Sequence, residues 1–106
     1  MPATFTLRMA HRVSDVLLPD LKALIPAESM QFFSNELDEE WHYTLLCQQS
    51  EETCSLAVSA ILVWHQLKRI TLMNYTNATV QKDLSHCAAA DLYNFLKMPG
   101  AVLHLS

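Results

Sequence analysis

Residues 41–48 of the chain read WHYTLLCQ. Every second side chain in this stretch is large and apolar or is a thiol: Trp41, Tyr43, Leu45 and Cys47. A period of two is the pattern of a β-strand with one face against a core. The residues between them, His42 and Thr44 included, then face the opposite side. This stretch predicts a strand and so favours an α+β fold over an all-helical one.

The preceding residues 30–37 predict the partner of that strand. They include the adjacent pair Phe32 and Phe33, and an acidic run follows in which Asp38 and Glu39 are the predicted turn. Two apolar runs on either side of a polar turn are typical of a β-hairpin. One continuous helix over residues 28–48 is the competing interpretation.

The N-terminal quarter of the chain predicts a strand followed by a helix. Residues 4–10 alternate between apolar and polar side chains, which indicates a strand. Ser14 or Asp15 can cap a helix that runs to residue 25 and contains Pro19. The proline either opens the regular part of this helix or kinks it.

The C-terminal half predicts two helices and a short strand. Ser50, followed by two glutamates, is the predicted cap of a long and mostly apolar helix that extends to about residue 73. A polar turn over residues 74–78 leads to a second helix over residues 79–98, and residues 101–105 form a short strand.

This order of elements predicts an α+β fold in which a small antiparallel sheet is packed on one face by two or three helices. An all-α bundle is the alternative architecture. The chain has 106 residues, the length of one domain, so residues 1–106 are predicted to fold as a single unit.

The composition argues against several classes of function. The only glycine is Gly100, so neither a dinucleotide-binding turn nor a phosphate-cradling loop can be written. The net charge is −4, and Lys68 and Arg69 are the only adjacent basic residues, which disfavours nucleic-acid binding. The longest apolar stretch, residues 56–64, is far shorter than the about 20 residues of a membrane span.

The three cysteines suggest no disulfide framework, because their number is odd and no signal segment precedes them. We therefore expect reduced thiols and a cytoplasmic protein. Neither the gap from Cys47 to Cys54 nor that from Cys54 to His65 matches the spacing of a zinc site. Catalytic pairing of Cys54 with His65, or of Cys87 with His86, has no supporting motif. The expectation is no metal, no cofactor, no catalytic residue and no enzymatic activity.

The aromatic residues of the predicted hairpin are the strongest candidate site. Aromatic side chains dominate the energetics of protein interfaces, and this hairpin is apolar on both faces. The candidate interface residues are Phe32, Phe33, Trp41, His42 and Tyr43. They predict a non-enzymatic interaction module, such as a small acidic adaptor, an inhibitor or immunity-type protein, or a chaperone. Its partner is another protein or a second copy of the chain, with no nucleic acid and no membrane involved.

Two other functions compete with that interpretation. An interior rich in methionine and aromatic residues could hold a small apolar ligand between sheet and helices. Its candidate residues are Met30, Met73, Met98, Trp64 and Phe95. A weaker alternative is a helical regulator that contacts nucleic acid through Lys68, Arg69 and Lys82.

Overall fold

A computed structural model describes residues 3–34 and 43–106. Along the chain the elements are β1 (Thr4–Met9), α1 (His11–Leu24), a 3₁₀ turn (Ala27–Ser29), β2 (Met30–Ser34), β3 (Tyr43–Gln48), α2 (Glu51–Gln66), β4 (Met73–Thr76), β5 (Gln81–Asp83), α3 (Ala89–Leu96) and β6 (Val102–Leu105). The α+β class is confirmed. The continuous helix over residues 28–48 and the all-α bundle are wrong, because the described parts of that stretch form two paired strands.

The strands form one six-stranded sheet in the order β2-β3-β1-β6-β4-β5. Neighbouring strands are antiparallel except β1 and β6, which are parallel, so the expectation of a purely antiparallel sheet holds for every pair but that one. Strands β1 and β2 are both antiparallel to β3, which lies between them. Helix α1 connects β1 to β2. The first half of the chain is therefore a split β-α-β unit.

The hydrophobic core lies between one face of the sheet and the helices. Alternate side chains of β1 (Phe5, Leu7 and Met9) are fully buried on that face, whereas the side chains between them are half-buried or exposed. Helix α2 contacts α1 on one side and α3 on the other, so the helices form a single layer. None of the helices in the described part of the chain has the length and apolar character needed to span a bilayer.

The N-cap of helix α1 is Ala10, and not Ser14 or Asp15 as predicted. The C=O of Ala10 accepts hydrogen bonds from the N–H groups of Val13 and Ser14, so the helix follows directly on β1. The Ser14 hydroxyl donates to the His11 C=O at 2.8 Å and does not cap the helix. Pro19 lies inside the helix.

Helix α2 begins as predicted and ends earlier than predicted. Ser50 caps it by accepting a hydrogen bond from the Thr53 N–H at 3.1 Å. The helix ends at Gln66 because Lys68 adopts a left-handed conformation with φ of 64°. Residues 71 and 72 then bond to the C=O of Ser106, which leads the chain into β4. The predicted helix up to residue 73 is therefore wrong over its last turns.

The helix predicted over residues 79–98 is also wrong in its first half. The Asn77 side chain accepts hydrogen bonds from the N–H groups of Thr79 and Val80, both at 2.8 Å, and this closes a tight turn. The chain then returns along β4 as β5. Within residues 79–98, the helix covers only residues 89–96. Residues 74–76, predicted as part of a polar turn, belong to β4.

His65 joins the end of α2 to two neighbouring segments. Its Nδ1 lies 2.8 Å from the C=O of Ile70, and its Nε2 lies 2.6 Å from the C=O of Ser85. A neutral imidazole donates to one of these oxygens and an imidazolium donates to both. The ring thus holds the turn after α2 against the loop between β5 and α3.

We expect His65→Phe to lower the free energy of unfolding by about 1–3 kcal/mol, because the half-buried carbonyl groups lose their side-chain partner. Urea denaturation followed by circular dichroism measures the change. His86→Phe is the matched control: this histidine is exposed, and its replacement should change stability by less than about 0.5 kcal/mol. Equal effects of the two substitutions would contradict the assignment.

Candidate functional site

The β2 strand is one edge of the sheet and differs from the opposite edge. Its five residues read MQFFS, with no charge among them. The opposite edge, β5, has three residues, of which Lys82 and Asp83 are charged. Short, charged strands are a common protection of a sheet edge against pairing with another chain. By that criterion β5 is protected and β2 is not.

The direction of the β2 backbone groups follows from the register of the sheet. The Gln49 N–H donates to the Ala3 C=O at 3.0 Å, so odd-numbered residues of β3 bond to β1. Successive residues of a strand direct their N–H and C=O groups to opposite sides. Thr44 and Leu46 therefore bond to β2, where they lie opposite Phe33 and Gln31.

The remaining residues of β2 direct their backbone groups away from the sheet. These residues are Met30, Phe32 and Ser34. The Met30 N–H donates to the Ala27 C=O of the preceding turn. Within the described part of the chain, no strand lies on the outer side of β2. This edge thus presents backbone donors and acceptors in the arrangement that an added strand would bond.

The two phenylalanines of β2 lie on opposite faces of the sheet. Phe32 is on the helix side, where its ring stacks on Tyr43 with 5.3 Å between ring centroids, and the Lys22 Nζ lies 5.1 Å from its centroid. Phe33 is on the face without helices. Their exposed fractions are 39 % and 49 %, which is high for phenylalanine. We call Phe32, Phe33 and Tyr43 the aromatic edge.

A groove of about 460 Å³ runs between the aromatic edge and α1. Its floor is formed by Phe32 and Tyr43, and its wall by residues of α1: Ser14, Asp15, Leu18, Pro19 and Lys22. The exposed wall residues are spaced by three or four positions along α1: Asp15 is acidic, Pro19 is apolar and Lys22 is basic. At the acidic end, the His11 Nδ1 lies 3.3 Å from the Asp15 Oδ1, and the His11 ring meets Tyr43 edge-on.

The structure brings together three of the five predicted interface residues. Phe32, Phe33 and Tyr43 lie on adjacent strands at one edge. Trp41, His42 and the predicted turn at Asp38 and Glu39 lie outside the described residues.

The contribution of α1 to this site was not predicted from the sequence. The signal was present, because Asp15 and Lys22 are seven residues apart and so share one face of a helix with the residues midway between them. The sequence pattern does not indicate that this face of α1 lies beside β2.

The cysteines are poor candidates for covalent chemistry. Burial raises the pKa of the Cys47 thiol from its ordinary value of 9.0 to about 12, and burial also raises the pKa of Cys54. Cys54 and His65 are eleven residues apart on the same helix, about 16 Å along its axis, so the ring cannot act on the thiol. Cys87 is half-buried, and desolvation raises its pKa as well. It lies with His86 in the segment before α3, not on a helix as expected.

We expect Cys87 to react first with a chromogenic disulfide reagent such as DTNB at pH 8. Thiols react as thiolates, and the other two cysteines are buried, which disfavours the thiolate and restricts access of the reagent. The native protein should release about one equivalent of the coloured thiolate per chain, and the urea-unfolded protein should release about three. Cys87→Ala should abolish the native reaction, whereas Cys47→Ala should leave it unchanged. Rapid native reaction at Cys47 would contradict this burial pattern.

The residues proposed for an apolar ligand do not line one common cavity: Phe95 and Met98 line a pocket beside α3, whereas Met30 lines another beside β2. Met73 is fully buried, whereas Met98 is exposed. The Trp64 indole N–H donates to the Asp20 carboxylate at 2.6 Å, which ties α2 to α1. Phe95 packs against Tyr75 and under the Lys82 ammonium group. Within residues 3–34 and 43–106, no three side chains of His, Cys, Asp or Glu converge as metal ligands.

Comparisons with protein families, with curated proteins and with solved structures find no match to this chain.

Proposed function

We propose that this chain is a non-enzymatic, cytoplasmic protein–protein interaction module that acts through the aromatic edge. In this role it is a small acidic protein of the adaptor, inhibitor or chaperone kind, whose effect comes from occupying a partner surface. Trp41 and His42, predicted beside this edge, belong to the proposed surface.

The exposure of two adjacent phenylalanines on an uncharged edge strand is the observation that supports this proposal. Burial of a phenylalanine side chain stabilises an association by about 1.5–3 kcal/mol relative to its exposed state. Aromatic side chains also form interface hot spots because they are large and lose little conformational freedom. The half-exposed Phe33 ring offers this gain with no rearrangement of the fold.

The surroundings of the edge also support binding rather than catalysis. Tyr43 and Lys22 hold Phe32 from two sides, so the part of the surface around Phe32 is preformed. Preformed surfaces bind more tightly because less conformational freedom is lost on association. The thiols, in contrast, are buried or half-buried and have raised pKa values.

We expect Phe33→Ser to weaken every association of this chain by about tenfold or more, because it removes the most exposed ring of the edge. The tagged protein is isolated gently from its own host, and its complexes are weighed by native mass spectrometry.

Val63→Ser is the matched control for this experiment. Val63 is 51 % exposed on α2, a different element, so its loss should leave the complexes intact. Circular dichroism confirms that both variants are folded. If Phe33→Ser carries the same partners and the same oligomers as the unmodified chain, the proposed function is wrong.

A further inference from the structure

The backbone groups and the charges beside the aromatic edge identify an occupant for it, an inference that rests on the proposed function. The geometry points to a second copy of this chain. Strand β2 of one copy pairs antiparallel with β2 of the other around a two-fold axis at Phe32, and the two six-stranded sheets become continuous.

The outward backbone groups of β2 fit this pairing. With Phe32 opposite Phe32 of the second copy, each Phe32 N–H donates to the C=O of the other. Ser34 then lies opposite Met30 of the second copy, and its N–H donates to that residue's C=O. The Met30 N–H, already bonded to the Ala27 C=O, is not required. The two-fold axis repeats each bond, so the pair of strands forms four backbone hydrogen bonds.

The charges on α1 are complementary under the same axis. A two-fold interface places each residue of a patch against a different residue of the same patch on the other copy. Helix α1 of one copy runs antiparallel to α1 of the other across the joined grooves. Asp15 then faces Lys22 of the second copy, and Lys22 faces Asp15. The apolar Leu18 and Pro19 lie at the centre.

The side chains of β2 support the register. The two Phe32 rings become a cross-strand aromatic pair on the helix side of the sheet, and such pairs stabilise antiparallel strands. On the other face, Phe33 lies opposite Gln31 of the second copy and covers its aliphatic stem. The pairing places no like charges opposite each other within β2.

The first experiment compares Phe32→Pro with Phe32→Val by sedimentation equilibrium from about 1 µM to about 1 mM protein, a range that suits a small interface. Both variants lose the ring, and only proline loses the outward N–H. Proline is tolerated where the N–H faces outward from an edge strand, so the β2–β3 ladder remains. The unmodified chain should dimerise, and Phe32→Pro should raise the dissociation constant at least about tenfold above that of Phe32→Val.

A charge exchange tests the same pairing without changing the sequence of β2, and Lys22→Asp also removes the ammonium group that contacts the Phe32 ring. Asp15→Lys alone and Lys22→Asp alone each place like charges across the axis and should weaken the dimer about three- to tenfold. The double variant D15K/K22D restores opposite charges across the axis and should bind more tightly than either single variant, while it still lacks the Lys22 contact with Phe32. This rescue keeps the test decisive if Phe32→Pro does not fold.

Three outcomes would overturn the pairing. They are a monomer at every concentration, a dimer that Phe32→Pro and Phe32→Val weaken equally, and no rescue by the double variant. If the chain is a monomer and Phe33→Ser still abolishes the binding of a host protein, the pairing is wrong. The proposed function then stands, with a different protein on the edge. A dimer insensitive to both Phe33→Ser and Phe32→Pro overturns both.

Discussion

Strands from the two ends of the chain, β1 and β6, lie side by side at the centre of the sheet. The Thr6 N–H donates to the Ala101 C=O, and the Ala10 N–H donates to the Leu105 C=O. Among the strands of residues 3–34 and 43–106, β6 alone joins the β2-β3-β1 half of the sheet to the β4-β5 half. The sheet is therefore incomplete until β6 is in place. The single glycine lies at the turn into β6, where Gly100 adopts φ of 70°.

That central pair also determines where the helices can lie. Phe5, Leu7 and Leu103 point to the same face, and the helices cover it. Helix α1 connects β1 to β2, so its path ends beside the edge strand. Its outward residues become one wall of a groove, because β2 lies farther from the centre of the sheet than α1 can cover. The candidate site is thus a consequence of the split β-α-β topology.

Local patterns in the sequence were sufficient where one element decides its own structure. The alternation of residues 4–10, the Ser50 cap and the hairpin strands were all identified, because each signal lies within a few residues of the element. Strand β4 was missed because Met73 and Tyr75 become a buried face only through pairing with β6, some thirty residues later. The left-handed conformation of Lys68 was missed because lysine has no preference for it.

The candidate site was predictable only in part, because local patterns identify its residues but not their positions relative to each other. The aromatic content of the hairpin is visible in the sequence, and so is the face of α1 that carries Asp15 and Lys22. Their position side by side is a property of topology. The sequence likewise gives no sign that β2 is an edge strand, since this depends on the order of all six strands.

The two adjacent phenylalanines act in different ways, and the register of β2 separates them. A slip of one residue would exchange their faces and also exchange the backbone groups that point outward. The composition of β2 resists such a slip only weakly, because both positions are phenylalanine. Contacts outside the strand fix it instead: Lys22 and Tyr43 hold the Phe32 ring, and the Ala27 C=O holds the Met30 N–H. Phe32 thereby determines the alignment of the edge, and Phe33 is left as the ring that the edge presents.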